Sequence, residues 1–463
     1  MTAFHKILWL LLPLLILSGC GSVATRKGFY EPITAELQSG NVDSATVLLE
    51  IAREKKKYGQ KDRLVYFLDA GLLYHYAGNH QLSNDKLHLG EAAAEELFTK
   101  SISRAALSML LNDNVLEYAG EDHEILYANL ISALNYIALG SFDDAFVEIR
   151  RANLKLDQLE QKYAEAAEVL QRGNPDDTNR VEVEYKVDNV RFHNDAFARY
   201  LSMHMYAADG KYDDARIDMD FLRKAFATQA HIYDFDVPDI KYQSETGAVL
   251  SVVGLAGLAP TKDALNLRLR TDKDLNLVQV FYDLPGTENT EYGHFPAKIS
   301  HDLYFKFAIP QLVPRLSGIS HIRVLAGGQP VGELQLLEDV EKVATETFAA
   351  KKSLIYIRTA VRALAKALAT TKMKKKADTG GLGGWLKKVA IDIGTDISEN
   401  ADLRSSQYLP GKIYVGDFEI EPGVYDISVE YYDLEGNLID RMYRPDFEVR
   451  QGAFNLVEVY SVK

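Results

Sequence analysis

From residue 29 to residue 236 apolar side chains return every three or four positions, the spacing of one face of an α-helix. Four glycines interrupt the pattern, in Ser39-Gly40-Asn41, Ala77-Gly78-Asn79, Leu139-Gly140-Ser141 and Asp209-Gly210-Lys211. A glycine at such a point supplies the left-handed backbone that closes a helix. Each therefore predicts a turn between two amphipathic helices. One long helix is predicted from Asp143 to about Gln171, ended by Gly173-Asn174-Pro175. Past Asp234 the period changes. Thr246–Gly257 reads as a buried strand, followed by Leu265–Arg270, Leu277–Tyr282 and a hairpin of Ile322–Leu325 with Val331–Leu337. A second group follows: Lys412–Phe418, Gly423–Tyr432, Leu438–Tyr443, Phe447–Val449 and Phe454–Tyr460. Between the two groups the helical period returns from Leu337 to about Lys376. There Leu354, Ile357, Val361, Leu364 and Leu368 form a heptad-like seam.

The pattern predicts an α+β chain. An N-terminal α-solenoid of helical hairpins spans 29–236. The β regions 237–337 and 411–463 combine into one antiparallel β-sandwich-like module, and a helical insertion, 338–410, separates them. The hairpins resemble tetratricopeptide (TPR) repeats, helix-turn-helix units of about 34 residues. The matching positions are Gly71, Tyr74, Gly78, Ser83, Leu87 and Gly90 in the second unit. In the third they are Ala133, Tyr136, Gly140, Phe142, Ala145, Ile149 and Ala152, and in the fourth Tyr206, Gly210, Tyr212, Ala215, Met219 and Leu222. The first unit keeps Gly40, Ala45, Leu49 and Ala52. The turn glycines are 38, 62 and 70 residues apart, so the array is expected to be irregular. The resemblance implies a surface that binds peptides or proteins and brings no catalytic chemistry. Tyr74, Tyr76, Tyr136 and Tyr206 either line such a groove or fill the core between repeats.

The N-terminus adds an address. Lys6 precedes an apolar run, Ile7–Leu17, too short to cross a bilayer as a helix. Leu17-Ser18-Gly19-Cys20 then resembles the lipobox of bacterial lipoproteins. The resemblance implies a signal peptide over 1–19, lipid on Cys20, and a tether over 20–28. Gly21, where aspartate favours the inner membrane, implies an outer-membrane anchor facing the periplasm. Three acyl chains would anchor it firmly. Cys20 is the chain's one cysteine, so once it is acylated no disulfide, thiol chemistry or cysteine-bound zinc remains. The order of features also resembles a poorly characterised family of large outer-membrane lipoproteins. The carrying features are the lipobox, the repeat-like helices, Gly254-Leu-Ala-Gly-Leu-Ala-Pro-Thr-Lys262, a basic helix with Gly383-Gly384-Trp385, and Ala401-Asp402-Leu403-Arg404-Ser405 before Leu409-Pro410. The likeness speaks to architecture and location, not to activity. Glu421-Pro422-Gly423-Val424-Tyr425-Asp426 resembles a turn and strand of small carbohydrate-binding or transthyretin-like sandwiches.

Net charge is −14, which disfavours nucleic acid as a partner. Against that background Lys351–Lys388 holds eleven Lys and Arg and one acid, Asp378. Its lysines Lys372, Lys374, Lys375, Lys376, Lys387 and Lys388, with Trp385, have three readings. They dock on the acidic helical half, meet an anionic membrane surface, or contact an acidic partner, a second copy of the chain included.

The remaining chemical signals are weak. Asp143-Asp144 and Asp213-Asp214 suit the first turn of a helix, and adjacent residues do not face each other there. His75, His80 and His88 lack the i, i+4 spacing of a compact metal pair. Gly254–Lys262 lacks the phosphate-loop spacing. No catalytic residue, metal or cofactor is expected. The leading expectation is a non-enzymatic, lipid-anchored scaffold for a cell-envelope protein. The alternative is a protein that binds or processes envelope glycan.

Overall fold

A computed structural model describes residues 24–108, 116–172, 191–244, 247–272, 274–282, 290–296 and 304–349, the single positions 302, 352, 355, 356 and 359, and residues 401–463. The chain contains both helices and sheets. Helix α1 (Ala24–Gln38) pairs with α2 (Val42–Glu54). A short 3-10 turn, Gln60–Asp62, leads to α3 (Arg63–Tyr76), which pairs with α4 (His80–Ser108). Next come α5 (Asp122–Ala138) with α6 (Phe142–Arg172), and α7 (Ala196–Ala208) with α8 (Tyr212–Thr228).

All four pairs close with one turn. Gly40, Gly78, Gly140 and Gly210 have φ between +72° and +82°. The amide after each glycine donates to a carbonyl five residues back, as Asn41 to Glu36 at 2.9 Å and Ser141 to Tyr136 at 2.8 Å. These bonds satisfy carbonyls that a helix end leaves open. Small residues then let the paired helices approach. Ser83 Oγ donates to the Gly71 carbonyl at 2.7 Å, and a Cβ on Gly71 would stand 2.5 Å from Leu87 Cδ2.

The strands are β1 (Ala248–Leu258), β2 (Thr261–Asp272), β3 (Leu277–Tyr282), β4 (Thr290–Pro296), β5 (Tyr304–Val313), β6 (His321–Ala326), β7 (Gln329–Glu333), β8 (Gln335–Asp339), β9 (Pro410–Ile420), β10 (Gly423–Tyr432), β11 (Leu438–Val449) and β12 (Asn455–Ser461). Helix α9, residues 340–349, follows β8 directly. Among the described residues three sheets form, ordered β12-β1-β9-β8, β11-β10-β6-β7 and β4-β3-β2-β5. The first is covered on both faces. Leu250, Val252 and Ala256 of β1 meet Ile322, Val324, Ile427 and Val429 of the second sheet. Val253 and Leu255, with Ile413 and Val415 of β9, join the core of the helices. Every residue of β1 is buried. That is why it reads as one apolar run rather than an alternation.

Three features depart from the sequence expectation. The first sheet is not wholly antiparallel: β12 runs parallel to β1 from Leu250↔Asn455 to Ala256↔Ser461. The chain enters β12 from β11 in the facing sheet, and Asn455 fixes the entry by donating to Val249 O and Arg450 O at 2.9 and 2.8 Å. The predicted strand Val331–Leu337 is two strands in different sheets, and the chain changes sheet at the buried Leu334. The third sheet contains β4 and β5, which carry Gly293, Pro296 and Pro310, residues that demote a strand in a sequence reading. Among the described residues no helix is long and apolar enough to cross a membrane.

Gly71→Val should overpack the α3–α4 contact and cost about 2–3 kcal/mol. In thermal denaturation the double variant with Leu87→Ala should be less destabilised than the two single losses combined.

Candidate functional site

The helices that come first in the second, third and fourth pairs, α3, α5 and α7, lie against the first sheet. Tyr76 of α3 donates to the Tyr408 carbonyl at 2.8 Å, and its ring stands 4.5 Å from that of Tyr460. Tyr200 of α7 donates to Asp417 of β9 at 2.9 Å. Two segments that flank the sheet strands complete the joint. Lys262, the second residue of β2 where the chain leaves β1, pairs with Glu121 at 2.7 Å. Arg404, just before β9, donates to both oxygens of Asp402 at 2.8 and 2.7 Å and to the Leu116 carbonyl at 2.9 Å. Both cations also sit over the ring of Tyr118, at 4.8 and 5.3 Å. Cation–ring attraction of this kind strengthens where water is excluded. Beside them Glu124 accepts from Tyr118 OH at 2.7 Å and from Ser406 N at 2.6 Å. Asp69 accepts from Tyr58, Ser406 and Gln407. Burial pushes Asp69 up to about 7. Burial and the Glu121 charge also raise Glu124, against the pull of Lys262. The joint is a dense, partnered network inside the fold.

Two nearby groups look like chemistry and are packing. Ser251, His204 and Asp417 are the residue types of a hydrolase triad. A triad needs the imidazole between the serine and the carboxylate. Here Ser251 donates straight to Asp417 Oδ1 at 2.7 Å, His204 Nε2 stands 3.3 Å from that same oxygen, and His204 Nδ1 reaches Ser251 Oγ only at 3.5 Å. All three are buried. His75 and His80 do converge, with rings 5.9 Å apart, but through Asn135 Oδ1, at 2.7 and 2.8 Å. His75 Nε2 reaches Glu458 of β12 at 2.6 Å. Among the described residues no group of three His, Cys, Asp or Glu is arranged to hold a metal.

An open cavity lies elsewhere among the described residues. A cavity of about 420 Å³ opens between the second helices α4 and α6, with α5 beside them. His88, Glu91, Ala92 and Glu95 come from α4, Tyr136 from α5, and Asp144, Val147, Glu148 and Arg151 from α6. Asn129 bridges its two inner carboxylates, donating to Glu91 at 3.0 Å and Glu148 at 2.8 Å. Arg151 spans the same pair at 3.2 and 2.8 Å. Burial raises Glu91, but Lys155, Asn129 and Arg151 outweigh it and hold the carboxyl below its usual range. His88 is raised by its bond to Glu148. Four carboxylates stand against the Arg151 guanidinium, the His88 imidazole and the Lys155 ammonium on Glu91, which leaves Glu95 and Asp144, beside a tyrosine wall, to meet a cationic side chain.

Of the four tyrosines picked from the sequence, only Tyr136 lines this cavity. Tyr76 faces the sheet, Tyr74 donates to Glu50, and the Tyr206 ring packs at a tilt 4.5 Å from that of Phe146. Asp144 does lie in the first turn of α6, where it accepts from Ser141 Oγ at 2.5 Å. Cys20, Lys372, Lys374, Lys375, Lys376, Trp385, Lys387 and Lys388 lie outside the described residues. Nearer the root of the basic segment, Tyr356 donates to the Pro310 carbonyl of β5 at 3.1 Å. Glu91, Glu148 and Arg151 were missed in the sequence. Their signal was the spacing Glu91/Glu95 and Asp144/Glu148, i, i+4 carboxylates on α4 and α6, the second helices of successive hairpins. Comparison with known protein families, curated proteins and solved structures finds no match.

Two predictions follow from the joint. Lys262→Met should strand Glu121 in the interior and cost about 3 kcal/mol or more in denaturant unfolding. Adding Glu121→Gln should restore most of it. For His75, burial lowers its affinity for the proton, but the Glu458 charge and hydrogen bond raise it overall. The resulting stabilisation is complete below the ordinary histidine value of about 6.5 and fades as pH rises through the higher folded value. Glu458→Gln should therefore cost about 2 kcal/mol in mild acid and far less in mild alkali. A melting-temperature difference that stays constant with pH would contradict this.

Proposed function

We propose that the protein is a non-enzymatic scaffold, anchored by lipid on Cys20 to the outer membrane and facing the periplasm. Its partner is a cell-envelope protein that presents a Lys or Arg side chain to the α4–α6 cavity. In this reading the four hairpins are a TPR-like α-solenoid over 29–236. The regions 237–337 and 411–463 form a β-sandwich whose insertion, 338–410, carries the basic segment.

One observation carries the choice of surface. The inner helices α3, α5 and α7 are already covered by the chain's own sheet, through Tyr76, His75 and Tyr200. The outer helices keep the open cavity and the exposed apolar side chains Leu89, Leu154, Ile217 and Phe221. A partner thus meets an acidic pocket with apolar residues on the same set of helices, a combination suited to a basic, partly apolar segment. Glycan processing asks for a carboxyl that stays protonated across a cleft from a carboxylate. Glu91 is held in the opposite direction, so the glycan alternative gains no support from the cavity.

The test is photo-crosslinking in intact cells. A photoreactive residue at Ala92 or Val147 should capture a defined partner, and one at Leu456 on the covered side should not. Glu95→Lys with Asp144→Lys should abolish capture while leaving the melting temperature within a few degrees. Capture that survives the charge reversal, or that is equal from Leu456, would overturn the assignment. Cys20→Ser should release the chain from the membrane fraction and lower the capture.

A further inference from the structure

The Phe197 amide acts on both the Asp195 and the Glu338 carboxyl, Tyr233 OH links Ala196 N at 3.0 Å to Glu338 at 3.0 Å, and both acids act on Tyr127; neither the cavity nor the Tyr118 joint uses these groups. Asp195 caps the start of α7, where its Oδ1 accepts from Ala198 N at 2.7 Å. Glu338 ends β8, and its Oε2 accepts from Tyr233 OH at 3.0 Å. Both carboxyls are fully buried, and Tyr127 of α5 is nearly so. Asp195 Oδ2, Glu338 Oε1 and the Tyr127 hydroxyl all lack a hydrogen-bond partner. Unpartnered polar atoms at this depth are costly.

A proton resolves the arrangement. Two carboxylates that act on one another in a dry site cannot both stay ionised. A protonated oxygen becomes a donor and can serve a neighbouring acceptor. The charged and titratable surroundings do not change this. Arg199 on α7 acts on Asp195. Against it, Asp339 on β8 adds further negative charge at Glu338 and Tyr127. Lys412 of β9 stands opposite Asp339 in register rather than opposite Glu338. Tyr233 already donates to Glu338 and accepts from Ala196 N at 3.0 Å. Glu341 and Lys342 belong to the first turn of α9.

The location gives the pair a consequence. Asp339, the next residue, caps α9 by accepting from Glu341 N at 3.1 Å and Lys342 N at 3.3 Å. Helix α9 is tied to the helical layer by Arg191–Glu346 at 3.0 Å, His231–Glu346 at 3.6 Å and Lys342–Asp234. Its residues Val340, Val343, Ala344 and Thr347 are buried. Glu338 therefore sits where the sheet hands the chain to the insertion.

We propose that Asp195 and Glu338 are a proton-held latch that fastens the root of the insertion, β8 and α9, to the helical layer, and that this root loosens as pH rises. Burial is the largest cause that raises both groups, Asp195 to about 6 and Glu338 well above its ordinary value. A raised carboxyl stabilises fully below its ordinary value and loses that contribution as pH climbs through the folded value. The window therefore opens above mild acidity.

The test is hydrogen exchange on the full chain, read by mass spectrometry in peptides from 334–349 and corrected for the intrinsic pH dependence of exchange. Protection of this segment should fall by about tenfold or more from mild acid to mild alkali, the equivalent of one unit of proton affinity. Glu338→Gln, which keeps a neutral group that donates, should hold protection nearly constant over the same range. Asp195→Asn should do likewise and serves if the first variant folds poorly. His231→Gln should keep the wild-type slope, which separates the latch from the His231–Glu346 pair. A flat wild-type profile, or an unchanged slope in both carboxyl variants, would overturn the latch.

Discussion

Lys262 and Arg404 lie over one tyrosine ring with their charges matched to Glu121 and Asp402, at the place where the segments leading into α3 and α5 meet the flanks of β1 and β9. The need for that cluster comes from the sheet. A sheet covered on both faces excludes water from the chain ends that enter and leave its central strands. Every polar group carried in with those ends must then find a partner. The segments Ala259–Lys262 and Ala401–Leu409 are such ends. They satisfy the requirement with Ala259 N to Leu409 O at 2.8 Å and Arg315 to Ala259 O at 2.6 Å, in addition to the Tyr118 pairings. Two stretches about 140 residues apart in sequence are thus one structural unit. This accounts for their distinctiveness in the chain without assigning them a ligand.

That constraint also decides what the helices have left to offer. Paired helices of this type have two faces, and the sheet takes the one formed by α3, α5 and α7. Binding at the covered face would have to displace Tyr76 and His75 from β12 and Tyr200 from Asp417, each in a buried setting where a lost partner is costly. The α4–α6 cavity asks for no such rupture. Its carboxylates are preorganised by Asn129 and Arg151, so a cation entering there meets oriented charge rather than mobile side chains.

Local chemistry made much of this legible in the sequence. A glycine followed by a small or polar residue has one economical way to end a helix, so the four turns could be placed to the residue. The long α6 and the apolar β1 followed from period and length. What the sequence hid depends on contacts between distant positions. Nothing in Phe454–Tyr460 announces a parallel partner, because strand direction is set by how the chain crosses from β11. Pro310 masked β5, and Leu334 looked like one more core position instead of the point where a strand changes sheet. The cavity was half visible: Asp144 was read as a cap and Tyr136 as a core or groove residue, both with reason. Only tertiary packing joins them to Glu91 and Glu148. Asp195 and Glu338 could not have been paired, since burial is what makes two ordinary acids a problem for one another.

The buried acids divide into two kinds with opposite responses to pH. Asp402 and Glu91 are pushed up by burial yet end below their usual range, because Arg404 and Lys155 stand against them. Their contribution is present above the ordinary carboxylate value and is lost as pH falls through the lowered one. Asp69, Glu124, Asp195 and Glu338 have no cation able to offset burial, and their contribution is lost as pH rises. The first kind holds the cavity and one side of the Tyr118 joint. The second holds the rest of the joint and the root of α9. An acidic chain that buries both kinds at one helix–sheet contact is most stable between the two transitions. Its alkaline limit is then set by carboxyls whose burial no cation offsets.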